Sequence, residues 1–198
     1  MMSLLIATRN SHKTREFEEI LGRDFSVTDL SQYPQIPETI ESGKTFAENA
    51  RLKAVAVAQL FPGFVLADDS GLEVDALNGA PGIFSARYAG RNATDRDNVE
   101  KLLNQLRRLG RKEDWNARFR CALALARDGH LTETFLGTVE GSIVAPPRGT
   151  HGFGYDPVFV PKELDQTFGE LPQETKNRLS HRANAIRQMK EFLKAAPR

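Results

Sequence analysis

Residues 119–139 hold the pattern that most narrows what this chain can fold into. Phe119, Cys121, Leu123 and Leu125 alternate along one segment, Asp128-Gly129 supplies a two-residue turn, and Leu131 to Val139 returns as its partner. That layout predicts an antiparallel hairpin. Elsewhere helical and strand patterns alternate along the chain, which on its own suits parallel pairing. A chain that combines the two predicts an α/β fold on a mixed sheet.

The alternation begins with Ser3 to Thr8, an apolar run that stops at Arg9-Asn10-Ser11-His12-Lys13. Thr14 to Leu21 then carries Phe17, Ile20 and Leu21 at helical spacing, so the reading is strand, polar loop, helix. Thr45-Phe46-Ala47-Glu48 has the form of a capping box, and Phe46, Ala50, Ala54, Val57, Ala58 and Phe61 continue one apolar face. Asn49 and Lys53, four apart, project together from another face of that helix. Phe64 to Ala67 reads as a short buried strand that ends at Asp68-Asp69-Ser70-Gly71, placing the carboxylate pair at a strand boundary. Leu72, Val74 and Ala76 alternate beyond it.

Val99, Leu102, Leu103, Leu106 and Leu109 mark the clearest amphipathic helix, with Thr94 as N-cap and Gly110 as stop. After the hairpin, Pro146-Pro147 breaks the pattern and a loop with Gly149, Gly152 and Gly154 leads to a short strand, Val158 to Val160. Ser180 caps a last helix that buries Ile186, Met189 and Leu193. With no repeat, low-complexity stretch or linker, the 198 residues read as one domain, 1–198, of bilobed form.

Charge matters here because it bounds the partners. A formal net charge of +1 gives no global footprint for a polyanion, so any phosphate site must be local and a nucleic-acid partner is not expected. Arg107, Arg108, Arg111, Lys112, Arg118 and Arg120 sit at a helix end and on alternate strand positions, where solvated charge is normal. No segment approaches a membrane span, and the start, Met1 to Thr8, lacks the layout of a secretory signal. Cys121 is the only cysteine and reads as buried packing, which fits a reducing compartment. The expected location is cytoplasmic.

Four places have the residue types for chemistry. The loop from Thr8 to Lys13 leaves a strand and opens a helix, so free N–H groups and a helix dipole favour phosphate there, with Lys13 adding charge. A plain solvated turn reads equally well. Asp68 and Asp69 are costly to hold together without a cation, and Gly71 permits a turn that brings both to one cavity. Their hard oxygens favour Mg²⁺, whereas His12, His130, His151 and His181 have no zinc-ligand spacing. Gly152-Phe153-Gly154-Tyr155-Asp156-Pro157 offers rings that either stack on a nucleobase or plug the core. Ser180-His181-Arg182, with Lys176 nearby in sequence, reads as an anion or base site or as an ordinary cap.

Taken in order, Thr8-x-Asn10-x-x-Lys13, Thr45-Phe46-x-Glu48-Asn49-Ala50, Asp68-Asp69-Ser70-Gly71-Leu72 through Gly79-Ala80-Pro81-Gly82 and Ser85-Ala86-Arg87-Tyr88, Gly152 to Pro157 and Ser180-His181-Arg182 cover nearly the whole chain. Together they resemble the inosine triphosphate pyrophosphatase family, house-cleaning enzymes that hydrolyse dITP, ITP and XTP to the monophosphate and pyrophosphate. The resemblance implies an elongated mixed sheet with flanking helices in two lobes around a cleft, a magnesium cofactor and a homodimer. It gives Asp69, Asp68 and Lys53 catalytic roles and makes Glu41 and Asp69 the metal ligands. Substrate contacts fall to Thr8, Arg9, Asn10, Ser11, His12, Lys13, Ser70, Phe153, Gly154, Tyr155, Asp156, Lys176, His181 and Arg182. Competing readings are a pyrophosphatase for modified pyrimidine nucleotides, a non-catalytic nucleotide sensor and a nucleic-acid-binding module.

Overall fold

The structure is a computed structural model in which residues 2–110 and 115–195 are described; Arg111 and Lys112 lie outside them. It is α/β, with six strands and five α-helices among the described residues. In chain order these are β1 (Met2–Ile6), α1 (Ser11–Leu21), β2 (Phe25–Asp29), α2 (Phe46–Ala58), β3 (Phe64–Val74), α3 (Asp95–Leu109), β4 (Asn116–Arg127), β5 (His130–Ile143), β6 (Phe159–Pro161), α4 (Gln173–Leu179) and α5 (His181–Ala195). The strands form one sheet in the order β2-β1-β3-β4-β5-β6. β1 pairs parallel with β2 and β3, and β5 pairs antiparallel with β6, so the sheet is mixed as expected. The hairpin joins β4 to β5 through Asp128 and Gly129, both at positive φ, as a tight primed turn requires.

The chain folds as two compact units: Met1–Asp69, Cys121–Gly137 and Arg182–Arg198 form the first, Ser70–Arg120 and Thr138–His181 the second. In the first, Leu4, Ile6, Leu66, Cys121, Leu123 and Leu125 from the strands pack with Phe17 and Leu21 of α1 and Ile186 and Met189 of α5. In the second, Leu102, Leu103 and Leu106 of α3 pack with Leu72, Val74, Phe119, Tyr155, Phe159 and Phe168. Each core gathers the periodic apolar residues of its own helices and strands, which is why each unit has an interior of its own.

Four local expectations change. α1 begins at Ser11, not Thr14: Asn10 Oδ1 accepts hydrogen bonds from the N–H groups of His12 and Lys13, so Ser11, His12 and Lys13 form its first turn. At α2, Thr45 Oγ1 accepts from the Glu48 N–H, but the Glu48 carboxylate reaches Lys44 N–H and leaves the capping box half made. β3 runs unbroken through Asp68 to Gly71, so the carboxylate pair lies within a strand and not at its boundary. Both faces of this strand are covered and both carboxylates find partners, which lets it continue. β6 starts one residue late because Val158 closes a short 3-10 turn opened by Asp156 and Pro157. The α3 caps stand as expected, with Asp97 completing a capping box on Thr94 and Gly110 left-handed.

Candidate functional site

Because Asp68 and Asp69 are adjacent in a strand, their side chains leave on opposite sides, and each meets a different set of partners. Asp68 is buried and accepts from Lys13 Nζ at 2.5 Å and Arg182 Nε at 2.9 Å. The Cys121 thiol lies 3.3 Å from the same carboxylate. Arg182 continues to the buried Glu16 carboxylate, so α1 and the first turn of α5 both hold this pair in place. Burial alone would raise the Asp68 pKa, but the Arg182 guanidinium and Lys13 ammonium outweigh it and hold the carboxyl well below its ordinary value. Burial and the neighbouring Asp68 charge push the Cys121 thiol well up, consistent with an unreactive packing cysteine.

Asp69 faces α2. Asn49 Nδ2 donates to its Oδ2 at 3.1 Å, and Lys53 Nζ stands 3.4 Å from its Oδ1. Lys53 also donates to the Asp68 carbonyl at 2.7 Å and to Glu41 Oε1 at 2.9 Å. Asn49 and Lys53 thus work from one helix face, as their spacing implied. The Asp69 pKa is raised: burial dominates over Lys53 and Lys13, and Glu41 adds repulsion. Burial would lower the Lys53 pKa, but Asp69 and Glu41 more than offset it.

Two carboxylates, Asp69 and Glu41, therefore share one ammonium. Magnesium takes one or two protein carboxylates and completes its shell with water and phosphate oxygens, so this pair fits it in number and hardness. Among the described residues no group of three or more His, Cys, Asp or Glu is placed to hold a metal.

The rest of the Thr8 to Lys13 loop is built from local hydrogen bonds. Thr8 Oγ1 accepts from Asn10 N–H, and Arg9 donates to the Ile36 carbonyl at 2.6 Å, tying the loop to the segment that precedes Glu41. Ser11 and His12 are exposed at the start of α1. Asp29, which the sequence reading passed over, is buried and accepts from Thr14 Oγ1 and Ser31 N–H, anchoring α1 to the end of β2.

In the second unit, Lys176 of α4 donates to Asp156 Oδ2 at 2.6 Å, and both side chains are buried. The same oxygen accepts the Phe153 N–H at 2.8 Å, and the Lys176 ammonium lies 5.0 Å from the centre of the Phe153 ring. Gly152 lies so close to this carboxylate that a Cβ would collide with it. Gly154 N–H donates to Asp95 at the start of α3. Tyr155 is a core residue whose hydroxyl donates to the Ser85 carbonyl, so of the two rings Phe153 is the one left half-buried. The His181 ring is buried and stacks on Phe119 with centroids 4.8 Å apart. Ser70 follows Asp69 on β3 and is partly exposed. Arg118 and Arg120 pair with Glu73, Asp75 and Glu140, the solvated ladder that their alternate positions implied.

Glu16 and Asp95 are functional neighbours that sequence reasoning missed. Glu16 gave a signal, since it directly precedes the core residue Phe17 on a helix whose Lys13 lies one turn away.

A sequence profile described as the Ham1 family matches residues 4–192. The chain belongs to the Ham1 family. The dITP/XTP pyrophosphatase of Halalkalibacterium halodurans is 52% identical over 194 residues, which is 98% of this chain and 100% of that protein. The dITP/XTP pyrophosphatase of Bacillus subtilis is 47% identical over 98% of each chain. Among solved structures, a HAM1 protein from Coxiella burnetii superposes with a TM-score of 0.87 at 39% identity, covering 99% of this chain and 100% of that one. The Staphylococcus aureus Ham1 protein gives 0.85 at 44% identity over 97% and 98%. These Ham1 relatives bear out the family resemblance carried by the five motifs, together with the mixed α/β fold.

Proposed function

We propose that this Ham1 protein is a magnesium-dependent nucleoside triphosphate pyrophosphatase acting on deaminated purine nucleotides (dITP, ITP and XTP), and that it works as a cytoplasmic homodimer. The observation that carries the reading is the division of labour on β3: Asp68 is locked by Arg182 and Lys13, while Asp69 is left with a raised proton affinity beside Lys53 and Glu41. The dITP/XTP pyrophosphatases of H. halodurans and B. subtilis support the substrate class. Among the described residues no helix is long and apolar enough to cross a membrane.

Glu41 and Asp69 are the residues that would hold magnesium, whose bound form supplies positive charge to the triphosphate and acidifies water. The remaining work belongs to the protein. Lys13, Lys53 and the loop from Thr8 to His12 bind phosphate oxygens, with Ser70 contributing a hydroxyl. Water attacks the α-phosphorus, its oxygen forms the new bond, the bond from the α-phosphorus to the α,β-bridging oxygen breaks, and pyrophosphate departs carrying that oxygen. Asp69, fixed between Asn49 and Lys53, receives the proton of that water. Asp68 stays ionised and holds Lys13 in position.

Selectivity rests on the purine 6-position, a carbonyl in inosine and xanthine and an amino group in adenine. Phe153, Gly154, Asp156, Lys176 and His181 are assigned to the base, with Tyr155 bracing the loop from beneath; Arg182 acts on the substrate through Asp68. A donor that loses its partner when the 6-carbonyl is replaced discriminates by a factor on the order of 10⁴. The test is a panel of ITP, dITP, XTP, GTP, ATP and pyrimidine triphosphates with magnesium, with both products identified by chromatography. Monophosphate and pyrophosphate, chiefly from the deaminated purines, is the expected result. Inorganic phosphate with a diphosphate, or turnover chiefly of pyrimidine nucleotides, would overturn it.

A further inference from the structure

Asn49 is completely buried, yet it belongs to no part of the machinery assigned above. Its side-chain amide is used at both ends. Nδ2 donates to Asp69 Oδ2 at 3.1 Å, and Oδ1 accepts the Gly43 N–H at 2.8 Å. Gly43 stands two residues after Glu41, so one planar group ties the strand that carries Asp69 to the segment that carries Glu41. We infer that Asn49 is the positioning residue of the reaction, fixing Asp69 and the Glu41 segment in one register so that both carboxylates are presented together.

Three details make this more than a satisfied polar group. The bond to Oδ2 leaves Oδ1 of Asp69 toward Lys53, so the amide also sets which oxygen meets the ammonium. Lys53, one turn further along α2, grips Glu41 directly, so the two α2 residues each bond Asp69 and reach the same segment at different points, Lys53 at Glu41 and Asn49 at Gly43. Gly43 fits only as glycine: a Cβ there would lie 2.6 Å from Asn49 Oδ1 and 2.7 Å from Glu48 Cβ, closer than real contacts allow. Its φ lies outside the left-handed region, so the glycine is needed for the close approach to Asn49 and not for backbone freedom. Asn49 could be replaced by Asp without loss of shape, but that would set two carboxylates against each other.

The inference rests on the pyrophosphatase reading, and the experiment separates the two. Wild type, Asn49→Ala, Asn49→Asp and Gly43→Ala are compared for thermal stability, for kcat and KM on dITP at varied magnesium, and for Mn²⁺ binding without nucleotide by electron paramagnetic resonance titration. A wild type without turnover would count against the reading itself. With an active wild type, the variants that remain folded are expected to lose roughly 10–100-fold in kcat and in metal affinity, the scale typical of outer partners of metal ligands. KM for the nucleotide should move far less. Gly43→Ala, which keeps the Asn49 side chain and crowds its amide instead, should fail in the same way as Asn49→Ala. Folded variants with wild-type kcat and Mn²⁺ binding would overturn the assignment, as would losses in Gly43→Ala confined to KM.

Discussion

Arg182 Nε lies 2.9 Å from Asp68 Oδ2 in a pair that is almost fully closed to solvent, the side chains being 1% and 0% exposed. The guanidinium also binds Glu16, so one cation serves two buried carboxylates from different elements. A buried pair of this kind contributes little net stability when intact, because desolvation offsets attraction. Removing the guanidinium leaves Glu16 and Asp68 charged and buried without their shared cation. Arg182→Met is therefore expected to lower unfolding free energy by about 3–5 kcal/mol in urea titration. A loss under about 1 kcal/mol, the scale of an exposed ion pair, would show that the pair is solvated in solution.

The same pair sets a pH dependence. The folded-state pKa of Asp68 is depressed from its ordinary 3.8, so its contribution is fully present above that value and is lost as pH falls through the folded value. Melting temperature should fall steeply below about pH 4 in the wild type and less steeply in Asp68→Asn, whose baseline is already lower. Parallel curves for the two proteins would contradict this assignment.

Lys53 stands between Asp69, Glu41 and the Asp68 carbonyl. Lys53→Met should reduce kcat on dITP on the order of 10²–10³-fold, the scale of losing one preorganised charged donor. Nucleotide KM should change by much less. A kcat within about twofold of wild type, with fold confirmed by circular dichroism, would remove Lys53 from the catalytic group.

Gly152 and Lys176 bear on selectivity. A Cβ at Gly152 would collide with the Asp156 carboxylate that Lys176 and the Phe153 N–H share. Gly152→Ala and Lys176→Met are expected to lower the ratio of kcat/KM for dITP over dATP by about 10-fold or more, since a lost polar contact costs roughly 1–3 kcal/mol of discrimination. Equal losses on both nucleotides would mean that the loop does not read the base.

Much of this was legible in the sequence wherever a residue's role follows from spacing. The hairpin at Asp128-Gly129, the α3 caps at Thr94 and Gly110, and the shared face of Asn49 and Lys53 all follow from local rules, and they stand. What escaped depends on partners distant along the chain. The placement of Asp68 within β3 could not be read because Arg182, which supplies much of its compensation, is 114 residues away. Glu16 looks like an ordinary surface acid until Arg182 is placed beside it. Tyr155 kept two readings open because an aromatic ring between glycines serves stacking and packing equally well; in the structure it is buried and its hydroxyl donates to the Ser85 carbonyl.

The most direct test of the account is hydrolysis of dITP in ¹⁸O-labelled water, with magnesium present and the products analysed by mass spectrometry. Attack on the α-phosphorus predicts one ¹⁸O in the nucleoside monophosphate and none in pyrophosphate. Label in pyrophosphate, or release of labelled inorganic phosphate, would contradict it.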